Sequence, residues 1–363
     1  MLPYFCEVYG NASSIDHIHG LRAKEAVNSA REGIAKALGC RKESETLFTS
    51  GATESINLAL IGAFRKFRDK GNHIISSVIE HPAVLDTLKY LQTEGADITL
   101  LPVNRDGVVD MQALEESIRK ETILVSVMFA NNEIGTIQPI KEIGQLAKSR
   151  GIIFHTDATQ AVGHEKINAY DMNIDLLSFS AHKFYGPKGI GGLFVRSYSP
   201  LIRLNPVSFG GGHEKGMRPG TLNVPGIVGM AEALSLANKE MSAENRELRE
   251  MANSIYDQLK EAIPGIKLNG HPQNRLANNL SLTIPGVEAK ALIHLLKNKL
   301  SFSAGSACST TKVEPSHVLK GIGLTDDETF QTIRLGLGRL TQDAELISEI
   351  LIDGIQKSKG ACS

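Results

Sequence analysis

Short apolar runs alternate with stretches of helical spacing over the first two-thirds of the chain. Ala23, Val27, Ala30 and Ile34 recur three or four residues apart, and Gly39 ends that predicted helix. Apolar runs with the length of buried strands lie at residues 73–79, 98–103, 123–129, 152–154, 176–179 and 192–195. Helical patterns separate several of them, at residues 82–91, 110–119 and 140–150. This alternation predicts an α/β fold with a mostly parallel central sheet covered on both faces.

The pattern changes beyond residue 208. A glycine-rich stretch at 210–216 precedes a long helical pattern from 224 to about 263. A smaller αβ section follows, with strands predicted at 279–284 and 332–337 and helices at 288–297 and 343–357. We place the domain boundary inside the long helix, near residue 245. The prediction is a large domain of residues 14–245 and a small domain of residues 1–13 and 246–363.

The charge balance excludes several classes of protein. Across 363 residues, 39 Lys and Arg face 40 Asp and Glu, a net charge of −1. Binding to nucleic acid or to an anionic membrane surface would favour a basic excess, so neither is expected. No apolar run approaches the roughly 18 residues of a membrane span. The N-terminus also lacks the basic region and apolar core of a signal peptide.

The cysteines are few and far apart. Cys6, Cys40, Cys308 and Cys362 form no Cys-x-x-Cys pair, so neither a disulfide framework nor a structural metal site is expected. A reducing cytoplasm is the predicted location. Any of the four thiols could still act as a nucleophile.

The segment 175–189 combines a predicted buried strand with residues that could take part in catalysis. The strand ends in Ser-x-His-Lys, followed by a Gly-Pro turn, which places Lys183 directly after the apolar run. A lysine at this position is expected to lose hydration, which favours the neutral amine that Schiff-base formation needs. The alternative is a surface lysine whose stem packs on apolar neighbours while its ammonium stays in water.

Two further segments strengthen the chemical interpretation. Asp157 ends another predicted strand, with His155 and Gln160 close by, and could keep the ring nitrogen of pyridoxal phosphate protonated. The alternatives are a His-x-Asp metal pair or a hydrogen-bonded loop. Residues 49–55, Thr-Ser-Gly-Ala-Thr-Glu-Ser, open a helical run and suit a phosphate cradle, or else a capping box. Together, the lysine, the acid and the phosphate cradle indicate a pyridoxal-phosphate site more specifically than any one of them alone.

These segments stand in the order found in a known family. Residues 49–55, 80–84, 131–135, 155–160, 180–189 and 218–221 resemble the motifs of pyridoxal-phosphate-dependent cysteine desulfurases. The similarity covers residues 2 to about 351 and is to the iron–sulfur-cluster and nitrogen-fixation subgroup. It implies fold type I, the aspartate-aminotransferase-like transferase fold. It also implies a homodimer that converts L-cysteine to L-alanine and passes sulfur, as an enzyme persulfide, to an acceptor protein.

The resemblance implies a role for each cofactor-binding residue. Lys183 carries the cofactor, Asp157 faces its pyridine nitrogen and Gln160 binds its phenolic oxygen. His81 stacks on the ring and moves protons. The phosphate-binding residues implied are Ala52, Thr53, Ser180 and His182, with Thr221 reaching the phosphate of the partner subunit.

The substrate and the nucleophile are assigned in the same way. Asn132 and Arg334 bind the substrate carboxylate, with Arg339 as the alternative; arginine suits this role because its planar fork matches a carboxylate. Cys308 is the nucleophile, in a segment of small and polar residues typical of a reactive thiol. We expect residues 304–312 to move, because the thiol must serve both the cofactor pocket and a separate acceptor.

Two departures from the family pattern leave rival interpretations open. Relatives begin with an extra strand and turn that borders the active site, so the resemblance implies that Met1 follows that segment and that the chain is truncated, mis-started or unusual. Substrate affinity and full activity are the properties that this departure puts in question. Only 29 residues follow Arg334, fewer than in relatives that dock an iron–sulfur scaffold. The rivals are a selenocysteine lyase or aminotransferase of the same fold, and a catalytically silent binding protein. Iron–sulfur assembly, tRNA thiolation and DNA phosphorothioation remain the candidate sulfur pathways.

Overall fold

A mostly parallel sheet dominates the larger part of the structure, a computed structural model that describes residues 1–305 and 314–360. Its strands are β1 (Thr46–Thr49), β2 (His73–Ser77), β3 (Asp97–Leu101), β4 (Thr122–Ser126), β5 (Ile153–Asp157), β6 (Leu176–Ser180) and β7 (Gly191–Val195). Their order is β1-β7-β6-β5-β4-β2-β3. The strands from β3 to β6 run parallel, and β7 runs antiparallel to both of its neighbours, β6 and β1. The predicted fold class is confirmed.

Amphipathic helices accompany this sheet. They are α1 (Leu2–Cys6), α2 (Ile18–Ala37), α3 (Ala52–Phe67), α4 (Pro82–Thr93), α5 (Met111–Ser117), α6 (Ile140–Ser149) and α7 (Val224–Ala262). The buried face of α2 includes Ala23, Val27, Ala30 and Ile34, as their spacing predicts. Histidine side chains cap two helices: His17 accepts from the Gly20 amide before α2, and His81 precedes Pro82 at the start of α4.

A smaller antiparallel sheet lies in the C-terminal region. Its strands are β8 (Lys267–Leu268), β9 (Asn279–Thr283), β10 (Ser303–Ala304) and β11 (Thr332–Gly336), in the order β10-β11-β9-β8. The helices of this region are α8 (Ala289–Leu296), α9 (His317–Gly321), α10 (Asp326–Phe330) and α11 (Ala344–Gly360). Leu282, Ile333 and Leu351 are among the fully buried residues of its core.

The chain forms two compact units whose limits differ from the predicted ones. The first unit comprises Met1–Leu101, Met111–Phe129 and Pro139–Met241, and the second comprises Pro102–Asp110, Ala130–Gln138 and the residues from Ser242 onward. Residues 1–13 therefore lie in the first unit, where the Met1 side chain contacts Gly229. Segment 130–138 joins the second unit because Thr136 pairs with Arg275.

Complete burial explains why the sequence pattern identified the central strands. Leu124, Phe154 and Leu176 expose none of their surface, and each of β4, β5 and β6 contains a short apolar run. Strand β1 has only four residues, two of them threonines, and was not predicted. None of the described helices combines the length and apolar character that crossing a membrane requires.

Replacing Leu124 by Ala should destabilise the fold strongly, because the cavity left in β4 adds to the lost transfer free energy. We expect the free energy of unfolding to fall by about 2–5 kcal/mol. The matched control is Leu340→Ala, since Leu340 is 87% exposed; its effect should stay within about 0.5 kcal/mol. Urea titration at fixed protein concentration measures both variants. Equal stability of the two would contradict the assigned core.

Candidate active site

The carboxyl ends of neighbouring parallel strands bring the first site residues to one edge of the larger sheet. Asp157 is the last residue of β5, and Ser180 is the last residue of the adjacent β6. His81 follows β2 and caps α4. Ligands of open α/β sheets bind at this edge, so the topology itself supports a site here.

Asp157 is a buried carboxylate with local hydrogen bonds. It is 5% exposed, and its Oδ1 accepts from the Thr159 amide at 3.0 Å and from the Thr159 hydroxyl. Burial raises the pKa of Asp157 above its ordinary value, while the hydrogen bonds from Thr159 and the positive charge of Lys183 act in the opposite direction. A cationic partner for this carboxylate would therefore be strongly favoured.

His155 is fully satisfied by its neighbours in the sheet. One ring nitrogen lies 2.8 Å from Ser126 Oγ and the other 3.0 Å from Ser178 Oγ. Burial lowers the pKa of His155 to about 3, so the ring is neutral. With both nitrogens engaged by hydroxyl groups, the His-x-Asp metal pair has no support in the geometry.

Glu80 is a second buried acid, to which the sequence pattern assigned no role. It accepts from the Ser77 hydroxyl at 2.7 Å and from the Met128 amide at 2.9 Å. Burial raises its pKa to about 8, and the charge of Asp157 acts in the same direction. At neutral pH Glu80 is mostly protonated, so it adds little negative charge beside Asp157. The Glu-His-Pro motif contained this residue, but its burial was not readable from the sequence.

Lys183 lies in a short turn beyond the end of β6, and its side chain is exposed in the single chain. The expectation that it loses hydration is therefore wrong for this chain, because the 3₁₀ turn Ala181–Phe184 carries Lys183 past the buried strand. The turn itself is fixed: His164 Nε2 lies 2.9 Å from the Lys183 carbonyl oxygen. Lys188 is exposed as well.

The N-terminus of α3 has the features of an anion site. Its N-cap is Gly51, so no N-cap side chain occupies the amides of the first turn, which Ala52 and Thr53 begin. A Cβ at Gly51 would lie 3.6 Å from Ser180 Oγ, which places that hydroxyl beside the turn. Ser180 Oγ is also 2.9 Å from His182 Nδ1, and burial lowers the pKa of His182. These four predicted phosphate residues lie close together.

Two ion pairs connect residues in and just after the glycine-rich stretch to earlier parts of the first unit. Neither pair was predicted from the sequence. Arg218 Nε donates to Glu54 Oε1 at 2.8 Å, and Glu54 also accepts from the Ser50 amide. Arg31 forms a bidentate pair with the buried Glu214 carboxylate. Glu54 therefore holds Arg218, the first residue of the Arg-Pro-Gly-Thr motif, at the start of α3. Glu54 also accepts from a backbone amide, as expected for the capping alternative.

The remaining predicted residues of the first unit are positioned as follows. The His81 ring accepts from the Ala83 amide through Nδ1 at 3.0 Å, so the neutral ring carries its proton on Nε2. Gln160 is half-buried three residues after Asp157, and Thr221 is exposed three residues after Arg218.

The second unit brings together the predicted carboxylate-binding pair. Arg334 lies on β11, and its Nη1 donates to the Asn132 carbonyl oxygen at 3.0 Å. Arg339 instead pairs with Glu244 at 2.8 Å. The geometry therefore favours Arg334 over Arg339 as the partner of Asn132.

Cys308 lies outside the described residues, as do most of residues 304–312, so the predicted movement of that segment stays a prediction. The described part of the segment is anchored: Ser303 and Ala304 pair with Arg334 and Ile333, and the Gly305 amide donates to the Thr332 carbonyl oxygen at 2.7 Å.

The first-unit residues fit pyridoxal 5'-phosphate. A buried acid can hold a protonated pyridine nitrogen, and the α3 N-terminus with Ser180 and His182 can hold a phosphate. Lys183 is close enough for its charge to act on Asp157.

Comparison with known proteins agrees with this chemistry. Residues 1–347 match the family described as Aminotransferase class-V. The chain is 47% identical over 360 residues to cysteine desulfurase IscS of Methanosarcina thermophila, covering 98% of this chain and 88% of that protein. It is 45% identical over 359 residues to cysteine desulfurase IscS of Ehrlichia chaffeensis, covering 98% and 87%.

A solved structure shares the fold. A NifS-like protein superposes with a TM-score of 0.88 at 34% identity, covering 99% of this chain and 93% of that one. The chain belongs to the class-V aminotransferase family and, within it, to the pyridoxal-phosphate-dependent cysteine desulfurases of the IscS and NifS type.

Proposed function

We propose that this enzyme takes sulfur from L-cysteine, releases L-alanine and carries the sulfur as a persulfide on Cys308. The observation that carries the proposal is the buried carboxylate of Asp157, which lies near His81 and the positive charge of Lys183. Such an arrangement suits a cationic heterocycle, and members of the family use pyridoxal phosphate, which contains one.

The residues that hold the cofactor bind different parts of it. Lys183 carries it covalently, Asp157 pairs with its pyridine nitrogen and Gln160 donates to its phenolic oxygen. The amides and hydroxyls at the start of α3, with Ser180 and His182, bind the phosphate. When bound, the cofactor supplies an electron sink for the electrons released at the substrate Cα.

Proton transfer is assigned to two side chains. Lys183 Nζ, once displaced by the substrate amine, takes the Cα proton. His81 donates a proton during the steps at the substrate. Its Nδ1 is engaged by the Ala83 amide, so Nε2 is the atom that exchanges protons.

Sulfur transfer requires a nucleophile and a bound substrate carboxylate. Arg334 and Asn132 hold the carboxylate, the planar guanidinium forming paired hydrogen bonds with it. The Cys308 thiolate attacks the substrate sulfur, so an S–S bond forms while the C–S bond breaks and its electron pair passes to Cβ, which is then protonated.

The proposal extends to assembly and to the acceptor. The enzyme acts as a homodimer in which the exposed Thr221 reaches the phosphate bound by the partner subunit. A cytoplasmic location is consistent with the four separated cysteines. An acceptor protein then takes the persulfide sulfur, and transfer of radiolabelled sulfur in a cell extract identifies it.

Cys308→Ala should separate cofactor binding from sulfur transfer. The variant should keep the visible absorbance of the bound cofactor but release almost no alanine from cysteine, because the thiol proposed to accept the sulfur is gone. Matched controls are Cys6→Ala and Cys40→Ala. Burial raises the pKa of Cys40 to about 12, so its thiol is a poor nucleophile. Alanine release by Cys308→Ala at the wild-type rate would contradict the assignment.

Asp157→Asn should slow turnover more than it weakens cofactor binding. The amide loses the charge that keeps the pyridine nitrogen protonated, and we expect a fall of about 10²-fold in kcat, the scale of one lost electrostatic stabiliser. Cofactor content and alanine release are measured on the same sample. Asp171→Asn, at an exposed position, is the control. Unchanged kcat in Asp157→Asn would show that the acid is misassigned.

A further inference from the structure

A buried carboxyl group beside His81 links two strands of the larger sheet. Glu80 directly precedes His81 and exposes none of its surface. Its Oε1 accepts from the Ser77 hydroxyl at 2.7 Å and from the Met128 amide at 2.9 Å. Ser77 is the last residue of β2, and Met128 lies two residues beyond the end of the adjacent β4. One oxygen atom therefore connects the carboxyl ends of two neighbouring strands, at the edge where ligands of such sheets bind.

The segment that Glu80 holds is joined in turn to the strand that ends at Asp157. Phe129 directly follows Met128, and its amide donates to the Asp157 carbonyl oxygen at 2.9 Å. All of these residues belong to the first unit. The Glu80 side chain and the Asp157 backbone are therefore bound to consecutive residues of the same segment.

His81 lies on the other side of the same connection. It is the N-cap of α4, where its Nδ1 accepts from the Ala83 amide at 3.0 Å. Three residues separate the end of β2 from His81. Because this loop is short and Glu80 is its last residue, fixing the Glu80 side chain restricts where the His81 ring can lie. Glu80 thus connects the histidine proposed to move protons with the acid proposed to pair with the cofactor.

The Glu80 carboxyl group acts here as a neutral acceptor. Burial raises its pKa to about 8, and the charge of Asp157 acts in the same direction, against the hydrogen bonds from Ser77 and Met128. A neutral carboxyl group satisfies both donors without placing a second negative charge beside Asp157. A side-chain amide of the same shape should therefore replace it, whereas a methyl group should not.

We propose that Glu80 is a positioning residue of the cofactor site: its hydrogen bonds with Ser77 and Met128 set the position of the His81 ring relative to the Asp157 carboxylate. The inference rests on the proposed roles of His81 and Asp157. It predicts that loss of these bonds changes the orientation of the bound cofactor and slows the proton transfers of His81. Binding of the substrate carboxylate should not change, because the residues proposed for it lie in the second unit.

Substitutions at Glu80 in the cofactor-loaded enzyme test the inference. Glu80→Ala removes both hydrogen bonds and should lower kcat for alanine release about tenfold, because displacement of a proton-transferring group slows the step that it serves. KM for cysteine should change by less than about twofold. Glu80→Gln keeps an oxygen acceptor for both donors, so its kcat should stay within about threefold of wild type.

Visible circular dichroism of the bound cofactor is a readout independent of activity. The signal depends on the asymmetric surroundings of the cofactor ring and therefore on its orientation. At equal cofactor content, Glu80→Ala should lose a large part of this signal, whereas Glu80→Gln should keep it.

Two serines of β2 supply a matched pair of variants. Ser77→Ala removes one donor to Glu80 and should lower kcat about fivefold. Ser76→Ala removes an equally buried hydroxyl, which donates to the Ser126 carbonyl oxygen at 2.8 Å; its kcat should stay within about twofold of wild type. Both variants lose one buried hydrogen bond, so the free energy of unfolding should fall to a similar extent in each. A kcat loss confined to Ser77→Ala then reports the contact with Glu80 and not stability.

Each outcome bears on the inference. Wild-type kcat and dichroism in Glu80→Ala, a rise in KM alone, or an equal kcat loss in Glu80→Gln and Glu80→Ala overturns it and leaves the proposed function intact. An equal kcat loss in the two serine variants does the same. If Glu80→Ala fails to fold, Ser77→Ala against Ser76→Ala decides. Failure of the wild-type enzyme to release alanine from cysteine overturns the proposed function, and the dichroism of the bound cofactor alone then decides the inference.

Discussion

Burial of the Asp157 carboxylate is the constraint around which the first unit is organised. An ionised carboxylate in a protein interior is costly unless cations or hydrogen bonds compensate it. Here Thr159 donates to the carboxylate, and Lys183 contributes positive charge. The neighbouring acid Glu80 has its pKa raised to about 8, so it is mostly neutral and does not compete. This environment favours a cationic ring nitrogen.

The second unit contains the arginine proposed to bind the substrate carboxylate and the described residues on either side of the Cys308 segment. Arg334 is held by the Asn132 carbonyl oxygen and pairs through its backbone with Ser303. The buried Glu133, which follows Asn132, accepts from the Ser316 hydroxyl. Cysteine desulfuration needs precise geometry because the thiolate must approach the substrate sulfur in line with the breaking bond.

The sequence predicted most of the fold because the central strands are buried on both faces. Runs such as that of β6 carry an unambiguous signal, and motifs at their carboxyl ends located Asp157, Ser180 and Lys183. The remaining features of the site depend on tertiary structure. The exposure of Lys183 depends on a short turn, and the burial of Glu133 depends on segment 130–138 joining a unit distant in sequence. Neither property leaves a periodic pattern in the chain.

Borohydride reduction of the cofactor-loaded enzyme followed by peptide mapping shows which lysine carries the cofactor beside Asp157. We expect the reduced cofactor on the peptide containing Lys183, and Lys188→Ala, five residues away, to be labelled to the same extent. Lys183→Ala should retain no covalent label. Label on Lys188, or full labelling of Lys183→Ala, would show that Lys183 is not the residue that binds the cofactor.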